Sequence, residues 1–105
     1  MIELTEETKA GWCVVGVRGR ADAESADALE AALRKAVDGH PNVAADLGGL
    51  DYISSAGLRA LIQAARAAQV KGVNLALCAP TASVRKVFDM SGLQQILNIQ
   101  GELPC

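Results

Sequence analysis

Asp51-Tyr52-Ile53-Ser54-Ser55-Ala56-Gly57-Leu58-Arg59 joins the end of a short apolar run to the start of an amphipathic one. Two adjacent serines sit at the junction. A hydroxyl at a helix start lies among unpaired backbone N–H groups and the positive end of the helix dipole. A phosphate placed there is tolerated locally, yet it changes any partner surface to which it belongs. The junction therefore predicts a strand–turn–helix unit and points to a binding switch.

The rest of the chain alternates strand-like and helical patterns. Residues 2–8 form a weak first strand, and Cys13 to Arg18 a stronger one ending at Gly19. In the second, Cys13, Val15 and Val17 share a face by the two-residue period. Ala26, Leu29, Leu33 and Val37 recur at helical spacing and predict a helix over 24–37. Its early acids (Glu24, Asp27) and late bases (Arg34, Lys35) suit the helix dipole, and Gly39 and Pro41 close it. Val43 to Leu47 is a short central strand that Gly48-Gly49 breaks. After the serines, Leu58, Leu61, Ile62, Ala65 and Gln69 trace one helical face up to Lys71-Gly72. Residues 73–78 are a further strand. Pro80 fits the first turn of a short helix carrying Val84, Val87 and Phe88, which Ser91-Gly92 stops. The segment from Leu93 to Ile99 fits a strand or a short helix equally well. Together these predict one α/β domain over residues 1–105.

Composition narrows the function. The chain has 105 residues, half of them apolar, and a formal net charge of −2. Trp12, Tyr52 and Phe88 are the only aromatics, and there is no basic stripe, so nucleic acid is not an expected partner. No apolar run approaches the roughly 20 residues that span a bilayer. The acidic N-terminus lacks a signal-peptide pattern, which makes a cytoplasmic location the default. The spacing of Cys13, Cys78 and Cys105 matches neither a disulfide framework nor a metal pair. Cys13 and Cys78 read as buried thiols and Cys105 as a terminal one.

Tests for chemistry come out negative. A serine hydrolase needs a base beside its nucleophile. The one histidine, His40, reads as a solvated loop residue between Gly39 and Pro41. No GxSxG elbow and no phosphate-cradling glycine motif occurs. Asp22 and Asp46 do not make the acidic cluster of a phosphoaspartate receiver, and no metal or cofactor is expected. What remains is the serine pair. One serine can cap the helix, worth about 1 kcal/mol. Ser55, Arg59 and Gln63 share a polar helical face, which Arg66 continues. That row is either a docking surface or a solvated face.

Three separated segments resemble the STAS domain of bacterial anti-sigma factor antagonists. Arg18-Gly19-Arg20-Ala21-Asp22 is similar to that family's turn after its second strand. Asp46-Leu47 followed by Tyr52 to Leu58 is similar to its signature strand–loop–helix segment, and Val87 to Leu93 to its late helix and turn. The resemblance implies a four- to five-stranded mixed sheet with helices packed against it. It implies a non-enzymatic regulator whose unphosphorylated form binds a cognate anti-sigma serine kinase and frees the target of that kinase. Phosphorylation ends the binding and a serine phosphatase restores it. The family's acceptor, two residues before the signature glycine, falls on Ser55, with Gly57 as the glycine and Ser54 as an alternative acceptor. The resemblance places Asp22 beside the acceptor at the partner-facing surface; joined to the polar helical row, this makes Asp22, Ser54, Ser55, Arg59 and Gln63 the expected partner-binding residues. This chain departs from the family at Ser54, where Asp is frequent, and at Arg59, where Gly is frequent. Two other roles are compatible with the domain. One is a non-phosphorylated subunit of an ABC transport assembly, marked by persistent binding to an ATPase subunit. The other is a scaffold subunit of a large signalling complex, marked by sedimentation as a very large particle. A monomer is expected.

Overall fold

The computed structural model describes residues 2–95 and 97–101, with residue 94 described by its backbone alone. The elements run β1 (Ile2–Lys9), β2 (Trp12–Ala21), α1 (Ala26–Gly39), β3 (Asn42–Ile53), α2 (Ser55–Lys71), β4 (Asn74–Cys78), α3 (Ala82–Ser91), a 3-10 turn (Leu93–Gln95) and β5 (Ile99–Gln100). The sheet order is β1-β2-β3-β4-β5. β1 and β2 are an antiparallel hairpin, and every later pairing is parallel. A two-residue loop, Ala10-Gly11, closes the hairpin with positive φ at both positions (52° and 84°), the twist-matched geometry for tight hairpins.

Alternation along the strands decides which side chains enter the core. Cys13, Val15 and Val17, then Val43, Ala45 and Leu47, then Leu75 and Leu77 meet Leu29, Leu33, Leu61, Ala64, Val84 and Phe88 in one buried cluster. All three helices contribute to it. The opposite face of the sheet buries a smaller cluster of Val14, Ala44, Ala76 and Cys78, flanked by Trp12. Cys13 and Cys78 are both buried, as their apolar surroundings in sequence predict. Burial pushes the Cys13 thiol pKa up, and nearby Glu6 adds to the shift. Cys105 lies outside the described residues.

Several boundaries differ from expectation. β2 continues through Gly19 to Ala21, so the turn begins only at Asp22. β3 is not broken at Gly48-Gly49 but continues to Ile53. Two bulges explain this. From Gly16↔Asp46 to Arg18↔Gly49, β3 advances three residues while β2 advances two; from Gly19↔Leu50 to Arg20↔Tyr52 it advances two against one. The glycines accommodate the extra residues and the pairing resumes beyond them. α1 starts at Ala26 instead of residue 24, because Ser25 and Ala26 N–H groups both bond the Asp22 carbonyl in a preceding turn (3.2 and 2.9 Å). It also runs through Gly39 to a cap at His40. His40 is half-buried, with Nδ1 3.2 Å from the Ala36 carbonyl oxygen, and so is not simply a solvated loop residue.

On α2 the buried seam is Gly57, Ala60, Leu61, Ala64 and Ala68. Leu58, Ile62 and Ala65 flank it half-buried, and Gln69, expected on the apolar face, is exposed. Small residues let the helix sit close to its neighbours, so the true seam carries little bulk. Pro80 precedes α3 instead of entering its first turn. Thr81 is the cap, accepting from Val84 N–H (3.4 Å) and donating to the Leu50 carbonyl (3.0 Å). The tail makes both of its expected alternatives, the 3-10 turn and then β5.

Candidate functional site

Parallel pairing brings two chain segments out of the sheet side by side. Ala21 and Ile53 are register partners and both are buried, and Ser54 N–H donates to the Ala21 carbonyl at 2.8 Å. The Asp22 turn and the serine pair therefore emerge together at the C-terminal ends of the adjacent strands β2 and β3.

The Asp22 turn is closed on itself. Asp22 N–H donates to Ser25 Oγ (3.0 Å), whose hydroxyl lies 2.8 Å from the Arg20 carbonyl and 3.0 Å from Asp22 Oδ1. Oδ1 also accepts the Glu24 and Ser25 N–H groups, each at 3.2 Å. The Ser25 hydroxyl, followed by its N–H and that of Glu24, holds the Asp22 carboxyl below the usual carboxylate range, against some desolvation. Ser25 is 6% exposed. It occupies the cap position of α1 but makes no side-chain cap bond, because its oxygen is committed to the turn. Sequence reading passes over Ser25; the Asp22–Ser25 spacing of three, typical of side-chain-closed turns, is the signal that marks it.

At α2 the two serines divide the work. Ser54 caps the helix, its Oγ accepting Gly57 N–H at 3.3 Å. Ser55 is the first helical residue and is exposed. Gly57 makes this arrangement possible. A β-carbon at 57 would lie 2.6 Å from the Ala21 carbonyl oxygen and 2.8 Å from Ile53 Cγ1. Only a hydrogen fits between α2 and the end of β2.

The remaining expected residues spread along α2. Arg59 is exposed one turn beyond Ser55. Gln63 is half-buried and lines a shallow cleft with Arg34 of α1, Arg66 and Lys71. It is eight residues from Ser55, about 12 Å along the axis, so the structure does not gather it with Asp22 and the serines. Beside the serines stands a pair absent from the expected set. The Arg20 guanidinium carbon lies 4.2 Å from the centroid of the Tyr52 ring. These residues are 32 positions apart in sequence and only the bulged register makes them partners. Among the described residues no group of three or more His, Cys, Asp or Glu side chains could hold a metal ion. No helix among them is long and apolar enough to cross a membrane.

Comparison with known proteins agrees with this architecture. The chain is 41% identical over 100 residues to BtrV of Bordetella bronchiseptica, a candidate anti-sigma factor antagonist, covering 93% of this chain and 85% of that one. It resembles the crystal structure of an anti-sigma factor antagonist from Mycobacterium paratuberculosis with a TM-score of 0.88 at 27% identity, over 98% of this chain and 88% of that one. The fold is also that of the anti-sigma factor antagonist SpoIIAA. Its unphosphorylated form gives a TM-score of 0.73 at 20% identity, over 94% of this chain and 87% of that one. Its phosphorylated form from Bacillus gives 0.69 at 19%, over 94% and 90%. The family model described as "Mlab, STAS domain" matches residues 4–100, and this chain belongs to the STAS-domain family.

Proposed function

We propose that this protein is an anti-sigma factor antagonist in a partner-switching pathway, with Ser55 as its switch. The unphosphorylated form binds an anti-sigma serine kinase and releases the kinase's target. Phosphorylation of Ser55 ends the binding, and a serine phosphatase resets it. The observation that carries this reading is the division between the serines: Ser54 is committed to capping α2, while Ser55 is exposed beside the Asp22 turn. Modification of Ser54 would take away a cap; modification of Ser55 leaves the fold's own bonds alone. The likeness to BtrV and to the mycobacterial structure supports the same role.

Electrostatics supplies the mechanism. Phosphoserine brings about −1.5 to −2 charges near neutral pH. In the free protein the α2 N-terminus lowers the energy of that charge and solvent screens it. In a docked complex the phosphate must be desolvated. It also shares the end of β2 and β3 with the Asp22 turn, whose carboxylate is held charged by its hydrogen bonds. A penalty of about 3 kcal/mol weakens binding more than a hundredfold, and no refolding is needed. The protein, in this scheme, is a substrate and a ligand rather than an enzyme.

The test incubates the protein with ATP and each histidine-kinase-like ATPase domain of its own genome, reading intact mass for wild type and Ser55→Ala. A gain of about 80 Da (one phosphate) in wild type alone is expected. A gain in both proteins moves the acceptor, with Ser54 the next candidate. No gain with any domain, where a control substrate is modified, contradicts the proposal.

A further inference from the structure

One side-chain pair at the ends of β2 and β3 has no role assigned by the Ser55 switch alone. Arg20 and Tyr52 each precede a buried residue, Ala21 and Ile53, so by strand alternation they project from the face away from the helical core. Both are exposed, Tyr52 to 42%. The guanidinium lies over the ring at 4.2 Å. Among the described residues it makes no ion pair or hydrogen bond, whereas Arg18 has Glu3 at 3.9 Å and Arg34 has Glu30 at 3.2 Å. A stacked guanidinium keeps its in-plane N–H fork available, and that fork matches a carboxylate bidentately. The stack also restrains ring and cation before any partner arrives, which lowers the entropy lost on binding. Exposed Tyr and Arg are the residue types that dominate protein interfaces.

The pair is continuous with the switch. Asp22 follows Arg20 by two residues, Ser54 follows Tyr52 by two, and Ser54 N–H bonds the intervening Ala21 carbonyl at 2.8 Å. We propose that Arg20 and Tyr52 form a single recognition anchor that accepts an acidic side chain of the kinase engaged at Ser55, and so helps to set which kinase this protein binds. This rests on the Ser55 reading above. This end of the sheet then offers a partner three different chemistries: a carboxylate at Asp22, a neutral hydroxyl at Ser55 and a cation on an aromatic platform.

The test measures affinity for the histidine-kinase-like ATPase domains of the same genome by titration calorimetry. The proteins are wild type, Tyr52→Ala, Arg20→Gln, the double variant, Tyr52→Phe and Ser55→Asp, each with a thermal melt. Tyr52→Ala and Arg20→Gln should each weaken binding about 10- to 30-fold, as anchor residues do. The double variant should be little weaker than either single one, because the two act as a unit. Tyr52→Phe, which keeps the ring, should stay within about threefold, and the melts should match. Should Tyr52→Ala melt lower, Arg20→Gln carries the test. Wild-type affinity in both single variants, alongside lost binding by Ser55→Asp, overturns the anchor and leaves the Ser55 switch standing. Fully additive losses overturn the single unit. Undiminished binding by Ser55→Asp contradicts the switch, and no binding by wild type to any domain contradicts both.

Discussion

Two helices begin beyond the C-terminal ends of the adjacent strands β2 and β3, and their first turns use serine in opposite ways. At α1, Ser25 is buried and its hydroxyl is bound to Arg20 and Asp22. At α2, Ser54 makes the cap and Ser55 is left exposed at the first helical position. The chemistry of the side chain is the same in each case. What differs is whether the local turn has already used its hydrogen-bonding capacity. A serine that completes a turn is a structural part; a serine next to a completed cap is available to other molecules.

The start of α2 is most sensitive at Gly57. Gly57→Ala places a methyl 2.6 Å from the Ala21 carbonyl oxygen, where α2 meets β2. Overpacking of this kind costs about 1–3 kcal/mol, outweighing the helix propensity gained. The melting temperature should fall by roughly 10 °C, and an unchanged melt would mean that the α2 start moves freely. Next comes Ser25→Ala, which leaves Asp22 N–H without its side-chain acceptor and removes the hydroxyl from Asp22 Oδ1. Urea denaturation should show a loss of about 1.5 kcal/mol. Ser54→Ala removes one cap bond and should cost about 1 kcal/mol, whereas Ser55→Ala should stay within about 0.5 kcal/mol. Equal losses at the two serines would erase the distinction between them.

The smallest effect is the pH response of the α1 turn. The Asp22 pKa is depressed on folding, foremost by the Ser25 hydroxyl. Its contribution is therefore complete above the unfolded value of about 3.9 and is lost as pH falls through the lower folded value. Carboxyl chemical shifts should place the Asp22 midpoint below the ordinary value, and Ser25→Ala should raise it. A midpoint unmoved by Ser25→Ala would mean that the hydroxyl does not hold the charge.

The order of strands and helices is readable in the sequence because strand and helix periods differ. The Cys13–Val15–Val17 and Ala26–Leu29–Leu33–Val37 patterns both enter the core as read. Glycine misleads at 48 and 49, since a bulge and a strand end leave the same local signal, and only pairing with β2 separates them. The α2 seam is hidden for a related reason: Gly57, Ala60, Ala64 and Ala68 bury little surface each and give a weak hydrophobic period. The serine pair is marked by the strand–helix junction itself, the family resemblance singles out Asp22 and Ser55 as candidates, and the structural parts of Ser54 and Gly57 become physical once the distances are known. Arg20 and Tyr52 lie beyond local reading, because two bulges fix their register.

In the proposed switch a phosphate on Ser55 blocks docking without altering the fold. The direct measurement is the affinity of the unmodified and the Ser55-phosphorylated protein for the ATPase domain that phosphorylates it, with amide NMR spectra of both forms. Binding should weaken more than about a hundredfold, with spectral changes confined to the first turn of α2 and the Asp22 turn. Equal affinity for the two forms, or changes spread through the core, would contradict it.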